Sequence, residues 1–265
     1  MNRNILAYLF VAALILCPLL GPPCLSYVSV TPITVFLIMD PGSSWTGTLN
    51  LTSSEPFSIA VEVVRSDYVN YGSKVDFPKP GSLNWSCTEW LELPVKSFKV
   101  PPNSTFALPF KVTVPKGVRA GDYHGLIFLE ITRAEAAGGG VSVKFRIGTL
   151  IAIRVRGKKV LACEGGLVSS TKSDSSYEVV LRCVNKGNAL VRVKPRLVAS
   201  KGGEVIFTLT GVSALVYPGY WYDFKLSIPL DKISSAEKII GYFEVEDVFD
   251  GEKRVTNFIS IPLPH

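Results

Sequence analysis

Hydrophobic and polar residues alternate along most of this chain, as in β-strands whose side chains point to opposite faces of a sheet. Val, Ile, Thr, Phe and Tyr recur in short runs, and Gly, Pro, Asn and Asp separate these runs. No stretch repeats with the period of a helix, and only residues 231–238 are expected to form a helical turn or two. The pattern therefore predicts an all-β fold.

The spacing of the runs predicts seven strands in each half of the chain, with residues 67–88 as a long loop. The first half gives strands near 28–39, 45–53, 57–66, 90–99, 104–114, 123–132 and 141–156. The second half gives strands near 159–168, 177–185, 189–199, 203–209, 221–228, 239–247 and 253–262. Seven short strands per half is typical of immunoglobulin-like β-sandwiches. We therefore predict two tandem domains of this type, residues 27–157 and 158–265, which meet at Gly157.

The strand predicted over 141–155 has one apolar face and one basic or wet face. Its odd-numbered residues are apolar except Thr149, and its even-numbered residues include Lys144, Arg146 and Arg154. A strand of this length would run about 50 Å, which is long for one sandwich. We therefore expect a bulge or bend at Gly148.

Residues 33–39 are apolar on both faces. This pattern is expected for a strand that both sheets cover, or for one that switches between the sheets. The alternative interpretation is a segment that pairs with another chain.

Residues 1–26 have the pattern of a secretory signal peptide: Arg3, an apolar run over 5–16, and then several helix-breaking residues. The alternative is an uncleaved membrane anchor, although the run is shorter than the roughly 20 residues needed to span a bilayer. No later segment has enough length and apolar character to cross a membrane. The pattern predicts an extracytoplasmic protein, secreted, in a periplasm-like space or at the cell surface.

Cysteines and sequons agree with export. Cys163 and Cys183 lie symmetrically about a turn near residue 173, so a hairpin would set them nearly opposite and allow a disulfide. The alternative is two buried thiols, and Cys87 has no obvious partner in either case. Three sequons make candidate glycan acceptors, which we expect on loops: Asn50, Asn84 and Asn103.

The composition gives little material for catalysis. The 265 residues include only two His, and 47% are hydrophobic with a net charge of +6 that is spread along the chain. His124 follows a turn tyrosine without a visible relay, so we expect an exposed turn histidine. No phosphate loop, nucleophile elbow or metal motif occurs. We therefore predict no enzyme activity, no cofactor, no metal and no nucleic-acid partner.

One series of short motifs in the first half has a specific likeness. In chain order these are Pro41-Gly42, Asn84-Trp85, Trp90-Leu91, Val100-Pro101-Pro102, Phe110–Pro115, Gly121-Asp122-Tyr123-His124-Gly125 and Arg146-Ile147-Gly148-Thr149. The series resembles the immunoglobulin-like superfamily of periplasmic pilus-assembly chaperones over about residues 27–160. It is most similar to the WxL-interacting, peptidoglycan-binding type of envelope protein. In the motif Gly121–Gly125, Tyr123 is expected to anchor a corner of the chain through its hydroxyl.

The resemblance implies a partner that binds by β-strand addition along the last strand of the first domain. The matching apolar positions are Val141, Val143, Phe145 and Ile147. The family also grips the partner's carboxylate with an Arg in the first strand and a Lys in this last strand. Residues 27–64 contain no Lys or Arg, which leaves Lys144, Arg146 or Arg154 as candidates for the second cation only.

Three functional hypotheses follow. The first is a non-catalytic, chaperone-like or scaffold component that binds another protein of a surface fibre or envelope complex. The second is a fibre subunit or adhesin that donates residues 27–39 as a strand. The third is a cell-wall polysaccharide-binding protein that uses the aromatic residues over 217–222.

Overall fold

The computed structural model describes residues 27–72, 74–133 and 143–264, so the predicted signal segment lies outside the described residues. Within these ranges the chain forms short strands and two single helical turns, a 3₁₀ turn at Thr88–Trp90 and α1 at Leu230–Ile233. The strands in chain order are β1 Val28–Thr31, β2 Thr34–Met39, β3 Ser44–Ser53, β4 Ile59–Ser66, β5 Val69–Tyr71, β6 Lys74–Asp76, β7 Leu91–Glu92, β8 Ser97–Val100, β9 Ser104–Thr113, β10 Gly121–Arg133, β11 Lys144–Val155, β12 Cys163–Lys172, β13 Ser176–Asn185, β14 Val191–Lys201, β15 Glu204–Thr210, β16 Ala214–Val216, β17 Trp221–Pro229, β18 Lys238–Asp247, β19 Lys253–Val255 and β20 Ile259–Ile261.

The predicted fold class is confirmed: the structure is all-β, with tandem immunoglobulin-like β-sandwiches. The first half holds a sheet in the order β1-β3-β9-β7 and a second sheet in the order β2-β11-β10-β4-β8. The second half holds a sheet in the order β12-β13-β17 and another in the order β15-β14-β18-β19, with β16 on β14 and β20 on β18. The domain boundary at Gly157 stays a prediction.

Each half has its own apolar core because alternate residues of its strands point inward. In the first half the two sheets enclose residues such as Leu51, Ile127 and Ile153. In the second half Leu181 and Phe243 have the corresponding place. No helix of the described residues has the length and hydrophobicity to span a membrane.

The chain switches between sheets just before the apolar segment 33–39, which itself stays in one sheet and is not covered on its outer face. β1 pairs antiparallel with β3 in one sheet, and β2 pairs parallel with β11 in the other. Val35 and Met39 face the core of the first half, whereas Phe36 and Ile38 face outward. The switch makes β2 a neighbour of the strand predicted to bind a partner.

Tyr123 anchors a corner at the beginning of β10, in line with the sequence motif. Its hydroxyl donates to the carbonyl oxygen of Arg119 over 3.0 Å. The ring lies against Trp90 and Trp85, with centroids 4.5 and 5.2 Å away. The residue therefore has a structural role.

Two details of the sequence analysis are wrong. The register between β10 and β11 is continuous from Lys144 to Val155, so Gly148 marks no bulge. A side chain there would collide with the ring of Phe128, because an added Cβ would lie 2.9 Å from it. The predicted loop 67–88 contains the short hairpin β5–β6.

The predicted disulfide between Cys163 and Cys183 is not found, and Cys87, Cys163 and Cys183 are free thiols. The hairpin turn between β12 and β13 covers residues 173–175, so its centre lies later than the sequence suggested, and β12 carries a register shift. Cys183 therefore lies opposite Gly165, and the two cysteines are diagonal rather than directly opposed.

Candidate partner-binding site

The edge of β11 is open along half of its length. One side of β11 pairs with β10 from end to end. On the other side β2 pairs only with Leu150–Val155, and no described strand pairs with Lys144–Thr149. This open edge coincides with the positions where the resemblance places the partner.

The backbone at the open edge points outward at alternate residues. The N–H of Leu150 donates to the carbonyl oxygen of Ile33 over 3.0 Å, which shows that Leu150 directs its backbone groups away from β10. Because backbone direction alternates along a strand, Lys144, Arg146 and Gly148 direct their groups to the same side. These groups can pair with an incoming strand.

Apolar side chains accompany this edge on its inner face. Phe145 and Ile147 are half-buried and pack against the core of the first half. Val143 is exposed just before β11, and Val141 lies outside the described residues. A strand placed here would bring its inward side chains beside a partly covered part of the core.

The two cations at this edge differ in their surroundings. Arg146 pairs with Glu130 on β10 over 3.0 Å, and its guanidinium lies 5.4 Å from the centre of the Phe128 ring. Lys144, the first residue of β11, is exposed. Both lie on the outer face of the sheet.

Arg154 has a different role from the one implied by the resemblance. Its guanidinium forms two hydrogen bonds with Asp122, of 2.7 and 2.6 Å, and a third with Asp247 of 2.8 Å. Burial acts to lower the pKa of Arg154, but the hydrogen bonds to both carboxylates outweigh it and raise that pKa above its ordinary value. Asp247 comes from β18, so Arg154 joins the two halves of the chain and is already occupied.

The rest of this ion network is supplied by segments distant in sequence. Lys159 lies 3.1 Å from Asp247 and 2.7 Å from Glu252. The backbone N–H of Leu190 donates to Asp122 over 2.5 Å. The sequence did not link Asp122 or Asp247 to Arg154, although Asp247 is the last residue of β18, an alternating strand whose parity places it inward.

His124 is buried rather than exposed, so this expectation is wrong. Only 2% of its surface is accessible. Its Nε2 donates to the carbonyl oxygen of Tyr68 over 2.6 Å, and its ring lies 3.9 Å from the ring of Tyr217 in the second half. Burial lowers the pKa of His124 to about 4. The side chain is a neutral contact between the halves.

Comparisons with known proteins agree with this architecture. No family model and no curated protein sequence matches the chain. The crystal structure of the class 5 fimbriae chaperone CfaA matches with a TM-score of 0.52 at 10% identity, over 89% of this chain and 100% of that one. A chaperone–tip adhesin complex from CFA/I fimbriae biogenesis matches with 0.48 at 11% identity, over 87% and 98%. The SafB chaperone with the SafA pilin of Salmonella enterica matches with 0.45 at 12% identity, over 90% and 97%.

The structural neighbours include pilus chaperones with a PapD-like, immunoglobulin-like fold. At 10% identity the likeness to CfaA shows the fold alone. The WxL-interacting type suggested by the sequence is not shown by these neighbours.

The aromatic run over 217–222 is buried at Tyr217 and half-buried over 220–222. The ring of Trp221 contacts Tyr71, with centroids 5.6 Å apart, and Arg182, whose guanidinium lies 5.4 Å from the ring centre. The neighbours give polysaccharide binding no support.

The three sequon asparagines are all exposed. Asn84 and Asn103 lie in turns, as expected, whereas Asn50 lies within β3, between β1 and β9. Glycan attachment at these residues stays a prediction.

Proposed function

We propose that this chain is a non-catalytic, extracytoplasmic binding protein that accepts a β-strand of another envelope or surface-fibre protein at the open edge of β11. In this role it acts as a chaperone or scaffold. The observation that carries the proposal is the open edge over Lys144–Thr149, where outward backbone groups alternate with side chains that reach the core. Main-chain hydrogen bonds supply affinity in this kind of binding, and side-chain positions supply specificity.

The fold gives independent support. The solved neighbours include chaperones in complexes with a tip adhesin and with a pilin. The predicted partner, a protein of a surface fibre, is of the same kind. An exported location is consistent with the apolar segment at residues 5–16.

The alternative of a fibre subunit that donates residues 27–39 is less favoured. β1 and β2 both pair within the chain itself, with β3 and β11. Donation would leave two strands of the first half without these neighbours and would expose Val35 and Met39. A free donor strand would not have such contacts.

A pair of variants at Arg146 tests strand addition. In Arg146→Pro both the side chain and the outward N–H are lost, whereas in Arg146→Ala only the side chain is lost. Proline is compatible with an edge position whose N–H faces away from the neighbouring strand. A lost main-chain hydrogen bond together with the bulk of the proline ring should weaken partner binding about tenfold or more relative to Arg146→Ala.

The assay is photo-crosslinking in the native envelope, with a photoreactive residue at Lys144 in the full chain and in both variants. Lys99 on β8, at the opposite edge of the same sheet, provides the matched control position. We expect one main extracytoplasmic protein joined at Lys144 through a segment of alternating apolar residues, with a low yield in Arg146→Pro. Equal yields from Lys144 and Lys99, or from the two Arg146 variants, would contradict the proposal.

A further inference from the structure

The outer face of the sheet beside the open edge contains a strip without charge. Five apolar side chains form what we call the apolar strip: Phe36, Val64, Phe77, Phe128 and Leu150. Register places Phe128 opposite both Val64 and Gly148, and Phe36 opposite Ala152, next to Leu150. The rings of Phe77 and Phe128 lie 5.2 Å apart.

Part of this strip is open to solvent. Phe36 is 46% exposed and Phe77 is 45% exposed. The ring of Phe128 covers Gly148, which has no side chain to separate it from the edge. A side chain on an incoming strand opposite Gly148 therefore lies next to apolar surface on the outer face.

The charges beside the strip are paired or negative, and the exposed cation Lys144 lies four residues from Gly148, at the first residue of β11. Arg146 is paired with Glu130, and Glu62 lies opposite Glu130 on β4. Arg154 is taken by Asp122 and Asp247. A carboxylate placed against the strip would lose water, and the cation nearest to it, the Arg146 guanidinium over the Phe128 ring, is already paired with Glu130. Its burial there would be unfavourable.

The point where β2 begins to cover β11 is also uncharged. Its outer face is formed by Thr34, Leu126 and Leu150, which register places side by side. Arg156 and Lys158 follow the end of β11, beyond the segment that β2 covers, and Arg156 pairs with Asp40 over 3.3 Å.

We propose that the strand accepted at β11 is an internal segment of the partner that places a large apolar side chain on the apolar strip, rather than a chain end held by its carboxylate. This inference rests on the proposed function, since it requires strand addition at the same edge. It defines the specificity of that edge: an aromatic or large aliphatic residue opposite Gly148.

Selection from a display library of short random peptides on the full exported chain tests this inference. Enriched peptides are then synthesised with a free carboxylate and with an amide at the C-terminus, and their affinities are measured. We expect a large apolar residue at one fixed position, and replacement of that residue by Ala should weaken binding about tenfold or more. Acid and amide forms should bind alike, or the amide more tightly.

A gain of charge provides the second arm. Leu150→Arg adds a cation at the uncharged point and should shift preference towards the acid form by about fivefold or more. The matched control is Val205→Arg on β15, where the residue is 63% exposed and distant in the fold, and it should leave the preference unchanged.

The outcomes separate this inference from the proposed function. If no peptide is enriched, or if enriched peptides bind Arg146→Pro as well as Arg146→Ala, strand addition fails and the inference fails with it. If binding depends on the Arg146 N–H but the acid form is preferred, or no apolar residue recurs, strand addition stands and the inference alone is overturned.

Discussion

Lowering the pH should decrease the free energy of unfolding of this protein, because the buried side chain of His124 is held neutral. The ring is nearly inaccessible, donates to the Tyr68 carbonyl and packs on Tyr217. Nothing in that contact favours a positive charge as strongly as burial opposes it, and the pKa of His124 falls to about 4. An unfolded chain would have a histidine pKa of about 6.5.

The sign follows from proton binding. Between about pH 6.5 and pH 4 the unfolded chain holds a proton on this residue that the folded chain does not, so the free energy of unfolding decreases as the pH falls. From pH 7.5 to pH 5 the loss should be about 2 kcal/mol, and over the whole window about 3 kcal/mol. Above about pH 7 this residue contributes no pH dependence.

Urea unfolding at a series of pH values measures this contribution. His124→Gln keeps a donor near Tyr68 and has no proton to gain, so its stability should lack this part of the decline. His265 is the other histidine of the chain, and His265→Gln is the matched control that should decline like the parent. Identical pH profiles for the parent and His124→Gln, or an NMR titration of His124 near pH 6.5, would refute the reasoning.

Three further results are expected. Asp122→Asn leaves Arg154 short of one buried carboxylate and should lower the free energy of unfolding by about 3 kcal/mol in guanidinium titrations, against which a change below 1 kcal/mol would argue. Gly148→Val pushes a side chain into the ring of Phe128 and should cost about 1–3 kcal/mol, measured as a lower Tm; an unchanged Tm would show that the ring moves freely. Burial raises the pKa of the Cys87 thiol, so peptide mapping after alkylation should find it unmodified in the folded protein, and rapid labelling would be inconsistent with this core position.

Most of the strands could be predicted from the sequence because apolar and polar residues alternate along them. Residues such as Leu49 and Leu51, or Ile151 and Ile153, repeat at every second position and lie in the core as the pattern requires. The two-sided apolar pattern of 33–39 left the switch between β1 and β2 as one of several interpretations, and the exposed Phe36 and Ile38 show that two neighbours do not explain it. Local patterns of this kind depend on the backbone period alone.

Contacts between distant segments were not accessible in the same way. His124 looked exposed because its neighbours form a turn motif, yet Tyr217 from the second half covers it. Arg154 belongs to a stretch without any acid from 136 to 163, but Asp247 reaches it from β18. Such pairings depend on how the halves meet, which no local pattern contains.

The candidate site stays a prediction, and its definition draws on both the sequence and the structure. The resemblance directed attention to β11, while the structure supplied the limits of its open edge and the uncharged strip beside it. The predicted pairing of Cys163 with Cys183 was wrong because the centre of the hairpin lies about one residue later than the midpoint of the two cysteines. The register of a hairpin depends on the geometry of its turn more than on symmetric spacing.

The switch of the first strand between sheets also limits how a guest strand can sit. Since β2 occupies the edge from Leu150 onward, a guest can pair with at most the six residues Lys144–Thr149 of β11, a length of about 20 Å. Ile33 then acts as a fixed end point, and sliding by two residues towards the second half is sterically blocked. The fold of the first strand would thereby set one limit on the register of a guest strand, at the end nearer the second half.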